Sequence, residues 1–414
     1  MESRIEALNK CRLCFSNVRN IINLCNSPPA NNFVEDYSKF ETIESFPLEV
    51  EFCDECKNIQ LSVCLDEDLL YKNYNYLTPV SKSLENHYQY ILSYVEEEIG
   101  ALQNLSILEV GSNTGELLKF FKPYVKNILG IDPAENVSKI ANEKGIKTVN
   151  AFFNSNSLNE INSNIDEVDL IIARHMFAHN NSPSFILDAA RELLGSNKGH
   201  LIIENAYAID TFLNGELDQI YHEHMFFYSA LSMKNLLASH GFTLFDILFS
   251  KVHGGSALFI ATTEDKEPTT SLKNQLELEL DLFHEDKIFN LFKQNINNLK
   301  TSVLEIISDA IKGDLDIIAY GAPAKAFTMF SFLDLSSKII SYAVDTTPTK
   351  IGKTFPISEI KIVSESSIDN SKNKLIFVTA WNYREEIIQK AQSIFCSGDI
   401  LLFPLPELYI HRVN

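Results

Sequence analysis

Apolar runs that alternate with helical stretches constrain the fold of this chain more than any other feature. Between residues 76 and 265, strand-like runs occupy residues 106–110, 128–131, 168–173 and 199–204. Strands that alternate with helices form βαβ units, and such units build a parallel sheet. We therefore predict a central α/β domain over residues 76–265.

A second pattern of the same kind follows a helical stretch. Residues 266–312 place apolar side chains at helical spacing and are predicted to form a helical linker. From residue 313 to residue 414, strand-like runs recur beside Gly, Pro or Asp turn signals, at residues 317–320, 339–344, 375–378 and 399–403. The pattern predicts a separate C-terminal α/β domain.

Six of the seven cysteines lie within residues 1–75, and four of them form two C-x-x-C pairs: Cys11, Cys14, Cys53 and Cys56. The odd count, in a chain of this size without a secretory signal, disfavours a disulfide framework. Two such pairs brought together give a tetrahedral site of four thiolates, which suits zinc, whereas the alternative is four unrelated thiols. Four cysteines leave no open position on the metal, so the site is interpreted as structural. Residues 1–75 are predicted to form a small zinc-binding β module.

Length and charge limit the classes of partner. A chain of 414 residues suggests two or three domains. A protein with a net charge of -20 is a poor general binder of nucleic acid, because it repels phosphates. Apolar runs stay well short of the roughly 20 residues that span a bilayer, and the N-terminus lacks the apolar segment of a signal peptide. We expect a cytoplasmic protein that binds neither nucleic acid nor membrane.

The first predicted strand of the central domain runs into a glycine-rich turn, where Gly111 and Gly115 let the backbone approach a ligand at a helix N-terminus. The dinucleotide motif G-x-G-x-x-G is absent, which favours a ligand without pyrophosphate such as S-adenosylmethionine. Asp132 ends the next strand, where a carboxylate can accept both ribose hydroxyls, and the segment after the third strand is expected to flank the adenine. The alternative is an α/β domain of this type that holds no cofactor. The predicted cofactor-binding residues are Glu109, Gly111, Asn113, Gly115, Asp132, Ala151 and Phe152.

The segment Tyr221-His-Glu-His224 is the densest polar cluster of the chain. Imidazole is the usual general base near neutral pH. A metal-binding H-x-H pair is one alternative, although the i, i+4 spacing of a helical zinc site is missing, and a polar surface turn is another. A methyl transfer to oxygen or nitrogen needs less acid-base apparatus, whereas a carbon acceptor must first lose a proton to a base and needs donors to stabilise the enolate. The cluster therefore favours methylation of carbon.

Taken together, these motifs resemble the deoxysugar C-methyltransferase family, which acts on nucleotide-linked keto-sugars. The resemblance spans essentially the whole chain. The matching segments are the double C-x-x-C, Glu109-Val-Gly-Ser-Asn-Thr-Gly-Glu-Leu-Leu118 with Gly130-Ile-Asp-Pro-Ala-Glu-Asn-Val137, Tyr221-His-Glu-His224 with Ser229 and His253-Gly-Gly-Ser256, and Tyr320-Gly-Ala-Pro-Ala-Lys325 with Val344-Asp-Thr-Thr-Pro348. It implies a zinc module, a central Rossmann-like methyltransferase domain that binds S-adenosylmethionine, and a C-terminal Rossmann-like domain.

The resemblance also implies roles for individual residues. His224 would remove a proton beside a ketone, with Tyr221 and Glu223 assisting, and His179 would lie at the substrate. The family's Tyr-x-Tyr segment corresponds to Tyr74 and Tyr76, of which Tyr76 is the predicted sugar contact. His222 is expected to matter less than His224.

The chain departs from the family at two places. Ala326-Phe-Thr328 stands where Gly-Asn-Thr is common, which puts a second ligand site in the C-terminal domain in doubt, and Lys325 and His253 are as well explained by solvated loop positions as by function. Arg174-His175 replaces a smaller polar pair, which puts the exact substrate in doubt. An O- or N-methyltransferase of another small metabolite and a non-catalytic partner protein are the competing hypotheses. Both a monomer and a homodimer are compatible with the sequence.

Overall fold

Two doubly wound α/β sheets and two smaller antiparallel sheets form the framework of the computed structural model of this protein, which describes residues 5–7, 9–35, 43–65, 82–195, 198–251 and 254–414. In that part of the chain, none of the helices combines the length and apolarity that crossing a membrane requires. Mixed α/β structure with largely parallel sheets confirms the predicted fold class.

The N-terminal region consists of short antiparallel strands. They are β1 (Ile5–Ala7), β2 (Arg19–Ser27), β3 (Phe46–Phe52), β4 (Ile59–Leu61) and β5 (Val63–Leu65). Strand β1 pairs with β5, whereas β2, β3 and β4 are neighbours in a second sheet. Every other residue of β3 is buried, as expected of a strand with one face on the core.

The middle region is built on a seven-stranded sheet. Its strands are β6 (Ser106–Val110), β7 (Asn127–Ile131), β8 (Thr148–Val149), β9 (Leu170–Arg174), β10 (His200–Ala206), β12 (Thr243–Ser250) and β13 (Ser256–Thr262). Their order is β12-β13-β10-β9-β6-β7-β8; the first five in chain order are parallel, and β13 is antiparallel to both of its neighbours. All five residues of β6 are buried, as is typical of a parallel strand covered on both faces.

Helices cover this sheet and supply its connections. They are α1 (Lys82–Tyr94), α2 (Glu116–Phe121), α3 (Glu135–Glu143), α4 (Leu158–Asn162), α5 (Pro183–Leu194), α6 (Ala208–Leu213) and α7 (Ala230–Ser239). Between α6 and α7, strand β11 (Phe226–Phe227) pairs with β4 and so completes a four-stranded N-terminal sheet. The polar segment that ends at His224 is therefore continuous with a strand of the N-terminal sheet.

Two helices, α8 (Thr270–Phe283) and α9 (Lys287–Lys312), lead into the C-terminal sheet. The strands of that sheet are β14 (Asp316–Tyr320), β15 (Ala343–Val344), β16 (Ile362–Val363), β17 (Lys374–Val378), β18 (Ile400–Phe403) and β19 (Tyr409–Arg412), with α10 (Ala326–Leu333) and α11 (Arg384–Ile394) between them. The order is β16-β15-β14-β17-β18-β19, and β19 alone among these strands is antiparallel. The strand predicted over residues 339–344 is shorter than expected, because Ile339 is held in a turn by its N–H bond to the Ser336 carbonyl.

The N-terminal and C-terminal regions are joined by an aromatic contact. Phe33 packs against Phe327 and Phe355, with ring centroids 5.1 Å and 5.0 Å away, and Val34 forms a β-bridge with Thr354. The segment around Phe33 is therefore seated on the C-terminal domain.

Candidate functional site

The two C-x-x-C segments fold into turns with the same hydrogen-bonding pattern. The residue after the second cysteine, Phe15 in one turn and Lys57 in the other, has a φ of 61° or 62°. Each donates its backbone N–H to the carbonyl of the first cysteine over 2.9 Å. The matched turns gather four sulfur atoms, all within 4.8 Å of one another, from Cys11, Cys14, Cys53 and Cys56.

This sulfur cluster fits one zinc ion. Zinc–sulfur bonds of about 2.3 Å in a tetrahedron require sulfurs about 3.8 Å apart, and the Cys11–Cys56 and Cys14–Cys53 sulfur pairs are each 3.5 Å apart. The Asn58 amide donates to the Cys11 sulfur over 3.5 Å, as second-layer donors do at thiolate sites. With four thiolates the metal has no open position, so the site stabilises the fold and supplies no reactive metal.

The glycine-rich turn after β6 has a tightly constrained backbone. Gly111 and Gly115 have φ values of 70° and 77°, in the left-handed region that favours glycine. A Cβ atom on Gly111 would lie 2.8 Å from the Met176 side chain, and one on Gly115 would lie 2.8 Å from the Ile146 side chain. Both positions therefore require glycine. Because glycine has no side chain, the backbone of the turn is uncovered at the carboxyl edge of the sheet.

Asp132 is the residue directly after β7, and its side chain faces this turn. One carboxylate oxygen accepts the N–H of Asn113 over 2.9 Å, and the other accepts the N–H of Ala134 over 2.9 Å. The side chain is buried, and burial raises the pKa of Asp132. Because each carboxylate oxygen has a further lone pair, Asp132 can hold the turn and still accept hydroxyl groups of a ligand.

Two buried polar atoms beside the turn have no hydrogen-bond partner among the described residues: Glu109 Oε2 and Ser112 Oγ. Burial raises the pKa of Glu109 to about 8, although the positive charge of Arg174 acts to lower this pKa. Buried polar groups are nearly always hydrogen-bonded in folded proteins. Unsatisfied atoms at a glycine turn therefore indicate a polar ligand, and the turn fits S-adenosylmethionine.

The segment predicted to flank the adenine follows β8 at the same edge of the sheet. Asn150 donates its amide to the Asp132 carbonyl over 3.0 Å and so ties the segment to the end of β7. Ala151 is half-buried, and Phe152 is 58% exposed. An exposed aromatic ring at this edge offers a stacking face, and the roles of Ala151 and Phe152 remain predictions.

The Arg174-His175 pair belongs to a buried ion-pair network beneath the turn. Arg174 Nε is 2.8 Å from a carboxylate oxygen of Glu204, and its guanidinium lies 4.9 Å from the centroid of the Tyr88 ring. His175 Nε2 is 3.4 Å from the other Glu204 oxygen. A further Arg174 nitrogen is 3.9 Å from Glu109. Arg174 therefore lies between two carboxyl groups, Glu109 of β6 and Glu204 of β10, on the strands that flank its own strand β9.

The Tyr221–His224 segment is an irregular loop that orients one imidazole. His224 Nδ1 lies 2.8 Å from the backbone carbonyl of Gln219, and Nε2 lies 2.8 Å from the Tyr221 hydroxyl. A carbonyl only accepts hydrogen bonds, so Nδ1 carries the proton and Nε2 has the free lone pair. The basic atom of His224 is therefore Nε2, which accepts from the hydroxyl of Tyr221.

Burial keeps the two imidazoles of this site uncharged near neutral pH. Burial is the main cause that holds the pKa of His224 well below 6.5, and the neighbouring His179 lowers this pKa further. Burial also lowers the pKa of His179 to about 4. The two rings meet edge to face with their centroids 5.0 Å apart. A neutral imidazole keeps its lone pair and can accept a proton.

Glu223 lies beside the same pair of histidines. Its Oε2 is 3.9 Å from His179 Nδ1, and its Oε1 accepts the amide of Asn31 over 3.3 Å. Burial raises the pKa of Glu223 to about 7. A carboxyl group with such a pKa is able both to donate and to accept a proton near neutral pH.

His222 points away from this group. Its ring is fully buried and meets the Phe46 ring of the N-terminal sheet edge to face, with centroids 6.0 Å apart. Burial lowers the pKa of His222 to about 4. Neighbouring residues of the loop thus face opposite sides, and His222 packs against the N-terminal module.

A short segment connects the glycine turn to the histidine loop. Met176 lies against Gly111, and the Ala178 carbonyl accepts the N–H of Met225 over 3.0 Å. His179 ends this segment. The turn and the loop therefore meet at the carboxyl edge of the middle sheet, beside β6 and β9, where the strand order reverses and doubly wound sheets bind their ligands.

Two residues that contact the site, Asn31 and Gln219, belong to no motif that the sequence shows. Asn31 contacts Glu223 across 192 positions of chain, and Gln219 acts through a backbone carbonyl that any residue provides. Tyr74, Tyr76 and His253 lie outside the described residues. The predicted place of Tyr76 at the substrate therefore remains a prediction.

Family models match three consecutive stretches of the chain. Residues 11–71 match a "Putative zinc binding domain", residues 84–247 a "Methyltransferase domain", and residues 251–406 a "C-methyltransferase C-terminal domain". Together with the glycine turn, these matches define an S-adenosylmethionine-dependent methyltransferase that carries a four-cysteine zinc site. The matches support the resemblance of the motifs to C-methyltransferases in which a zinc-binding domain precedes the methyltransferase domain.

Individual relatives differ in how much of the chain they match. The chain is 28% identical over 413 residues to "C-methyltransferase NovU" of Streptomyces niveus, which covers 98% of each protein. A magnesium protoporphyrin IX methyltransferase from Synechocystis with bound SAM matches 47% of this chain and 89% of its own, at 12% identity and a TM-score of 0.34. An S-adenosylmethionine dependent methyltransferase from Mesorhizobium loti matches 39% of this chain and 92% of its own, at 13% identity and a TM-score of 0.31.

Proposed function

We propose that this C-methyltransferase methylates a carbon next to the ketone of a nucleotide-diphospho-keto-deoxysugar, and that His224 is the general base. The observation that carries the proposal is the hydrogen-bonding of His224, whose Nδ1 donates to the Gln219 carbonyl while Nε2 keeps its lone pair. A carbon acceptor needs such a base, because the proton beside a ketone is only weakly acidic. The sugar class is supported by the family resemblance of the sequence motifs.

The first step is the transfer of the substrate's α-proton to His224 Nε2. The ring becomes an imidazolium, and the electron pair of the broken C–H bond moves into the enolate. The Gln219 carbonyl stabilises the imidazolium by accepting its Nδ1–H, as the orienting acceptor of a catalytic histidine does. Tyr221 is already within 2.8 Å of Nε2 and must turn its hydroxyl away as the substrate proton arrives.

The enolate oxygen then needs hydrogen-bond donors. The released Tyr221 hydroxyl is one, and the Glu223 carboxyl, with a pKa of about 7, is a second because it is partly protonated at neutral pH. We assign His179 and Tyr76 to the sugar hydroxyls. When bound at the Gly111 turn, S-adenosylmethionine supplies the electrophilic methyl group that the enolate carbon accepts. We further propose a cytoplasmic location for the enzyme. Size-exclusion chromatography would distinguish a monomer from a homodimer.

The test uses the zinc-loaded full-length chain, labelled S-adenosylmethionine and a panel of nucleotide-linked keto-sugars, with products read by mass spectrometry. His224→Ala should lower kcat by about 10²–10⁴-fold, the usual contribution of a general base. Cofactor affinity should hardly change, because the cofactor turn is a separate segment. The variant should also lose exchange of the α-proton in deuterated water.

His222→Ala is the control, because its ring faces the N-terminal sheet; turnover per folded molecule should stay close to that of the wild type. If His224→Ala keeps both proton exchange and turnover, the base lies elsewhere. Methylation of an oxygen or nitrogen of another small metabolite then becomes the better proposal.

A further inference from the structure

The C-terminal domain meets the histidine loop at the position where a doubly wound sheet ordinarily binds a ligand. Strand β14 lies between β15 and β17, so the strand order reverses there, and ligands of such sheets bind outside the carboxyl ends of the strands at that point. Lys325 follows β14, and Trp381 follows β17. Both of their side chains contact Asp218, which belongs to the segment that leads to His224.

Asp218 is held by two side chains of the C-terminal domain. The Trp381 indole N–H donates to Asp218 Oδ2 over 2.6 Å, and Lys325 Nζ lies 3.7 Å from the same oxygen. Lys325 Nζ also lies 4.2 Å from the centroid of the Trp381 ring. Asp218 is only 1% exposed, so its charge depends on these partners. The crevice of the C-terminal sheet is therefore occupied by a residue of the middle domain.

A third contact holds the segment on the other side of Gln219. Thr328, at the start of α10, is fully buried and donates its hydroxyl to the Ile220 carbonyl over 2.7 Å. The residues immediately before and after Gln219 are thus both fixed by the C-terminal domain. Between them, the Gln219 carbonyl accepts the Nδ1–H of His224.

We infer that the C-terminal domain positions the general base: Thr328, Trp381 and Lys325 fix the Gln219 carbonyl, and this carbonyl holds His224 in the tautomer with its lone pair on Nε2. All three are positioning residues, since each acts through Asp218 or Ile220. The inference rests on the proposed role of His224. It gives the C-terminal sheet a task other than binding a second ligand.

The test measures the tautomer of His224 and the turnover of the same variants. Thr328→Val removes the hydroxyl and keeps the shape of the side chain, Thr328→Ser restores the hydroxyl, and Trp381→Phe removes the indole donor. Thr262→Val is the matched control: Thr262 is also buried and donates to a backbone carbonyl, that of Gly199, at the opposite end of the middle sheet.

The tautomer is read from nitrogen-15 NMR of the full-length, zinc-loaded chain with labelled histidine, in which the His224 signals are those lost in His224→Ala. In the wild type and in Thr328→Ser, Nδ1 should be protonated and Nε2 should not. Thr328→Val and Trp381→Phe should shift the His224 signals toward a mixture of tautomers. Both should lower kcat about ten-fold, because catalysis falls steeply when a reacting group is displaced, with the KM for S-adenosylmethionine unchanged.

The NMR readout separates this inference from the proposed function. Unchanged His224 signals in both Thr328→Val and Trp381→Phe would overturn the inference, whatever the turnover. Shifted signals with unchanged turnover would support the positioning contact and count against His224 as the base. If Thr328→Val does not fold, Trp381→Phe decides on the same two measurements.

Discussion

Replacing Glu223 by Gln removes a carboxyl group whose ionisation opposes folding. Burial raises the pKa of Glu223 from its ordinary value of 4.5 to about 7. A pKa unit corresponds to 1.36 kcal/mol, so keeping the ionised form buried lowers the free energy of unfolding by about 3 kcal/mol. The residue is 8% exposed, so solvent screens this cost only weakly.

The loss of stability caused by ionised Glu223 develops between its unfolded-state pKa of 4.5 and its folded-state pKa of about 7. Because the folded-state pKa is the higher one, the unfolded chain releases the proton near pH 4.5, whereas the folded chain keeps it until about pH 7. Stability from this group is therefore present at acidic pH and is lost as the pH rises through 7. At pH 5 the cost is about 1 kcal/mol, and at pH 8 it is nearly complete. As the pH rises from 5 to 8, the stability of Glu223→Gln relative to the wild type should increase by about 2 kcal/mol.

Urea unfolding at the two pH values measures this difference. The fluorescence of Trp381, the single tryptophan of the chain, reports the transition at the contact between the middle and C-terminal domains. Glu97→Gln is the control, because Glu97 is exposed, and it should leave the difference between pH 5 and pH 8 unchanged. If Glu223→Gln and the wild type show the same change in unfolding free energy between the two pH values, the pKa of Glu223 is not raised by burial.

The zinc site, the cofactor turn and the histidine base each lead to a further prediction. Cys11→Ser should reduce the zinc content from about one ion per chain and lower the melting temperature, because metal binding and local folding are linked; a zinc-free preparation that melts like the wild type would contradict this. Asp132→Ala should weaken S-adenosylmethionine binding by about 1.5–3 kcal/mol in isothermal titration, the range for hydrogen bonds to a charged group, and unchanged affinity would remove Asp132 from the site. Since the pKa of His224 is held well below 6.5, the pH–rate profile of kcat should show no loss centred at 6.5 as the pH falls. An acid limb at pH 6.5 would show that the ring is solvated in the working enzyme.

Several parts of this protein follow from the sequence because their causes are local. The two C-x-x-C turns depend on residues within five positions of each other, and their four sulfurs converge as the spacing predicts. Gly111 and Gly115 have the left-handed backbone that their position after an apolar strand predicts. The strand of residues 106–110 is observed with the predicted bounds, because its apolar residues Ile107, Leu108 and Val110 are buried in the centre of a parallel sheet that is covered on both faces.

Shorter or weaker runs were less predictable. The predicted strand over residues 339–344 contains only Ala343 and Val344 as strand, because a turn at Ser336 competes for the preceding backbone. Strand β11 has only two residues, too few for a periodic signal, and it exists because β4 offers a free edge in the folded protein.

The chemistry of the site was decided by tertiary structure. The sequence identified His224 and Glu223 as neighbours in a polar cluster, but the free lone pair on Nε2 depends on the Gln219 carbonyl, and the pKa of Glu223 depends on burial. The contacts of Asn31 with Glu223 and of Trp381 with Asp218 join residues more than 160 positions apart. Residue type and spacing record which groups are available, whereas burial and hydrogen-bond partners arise only when distant segments pack together and exclude water.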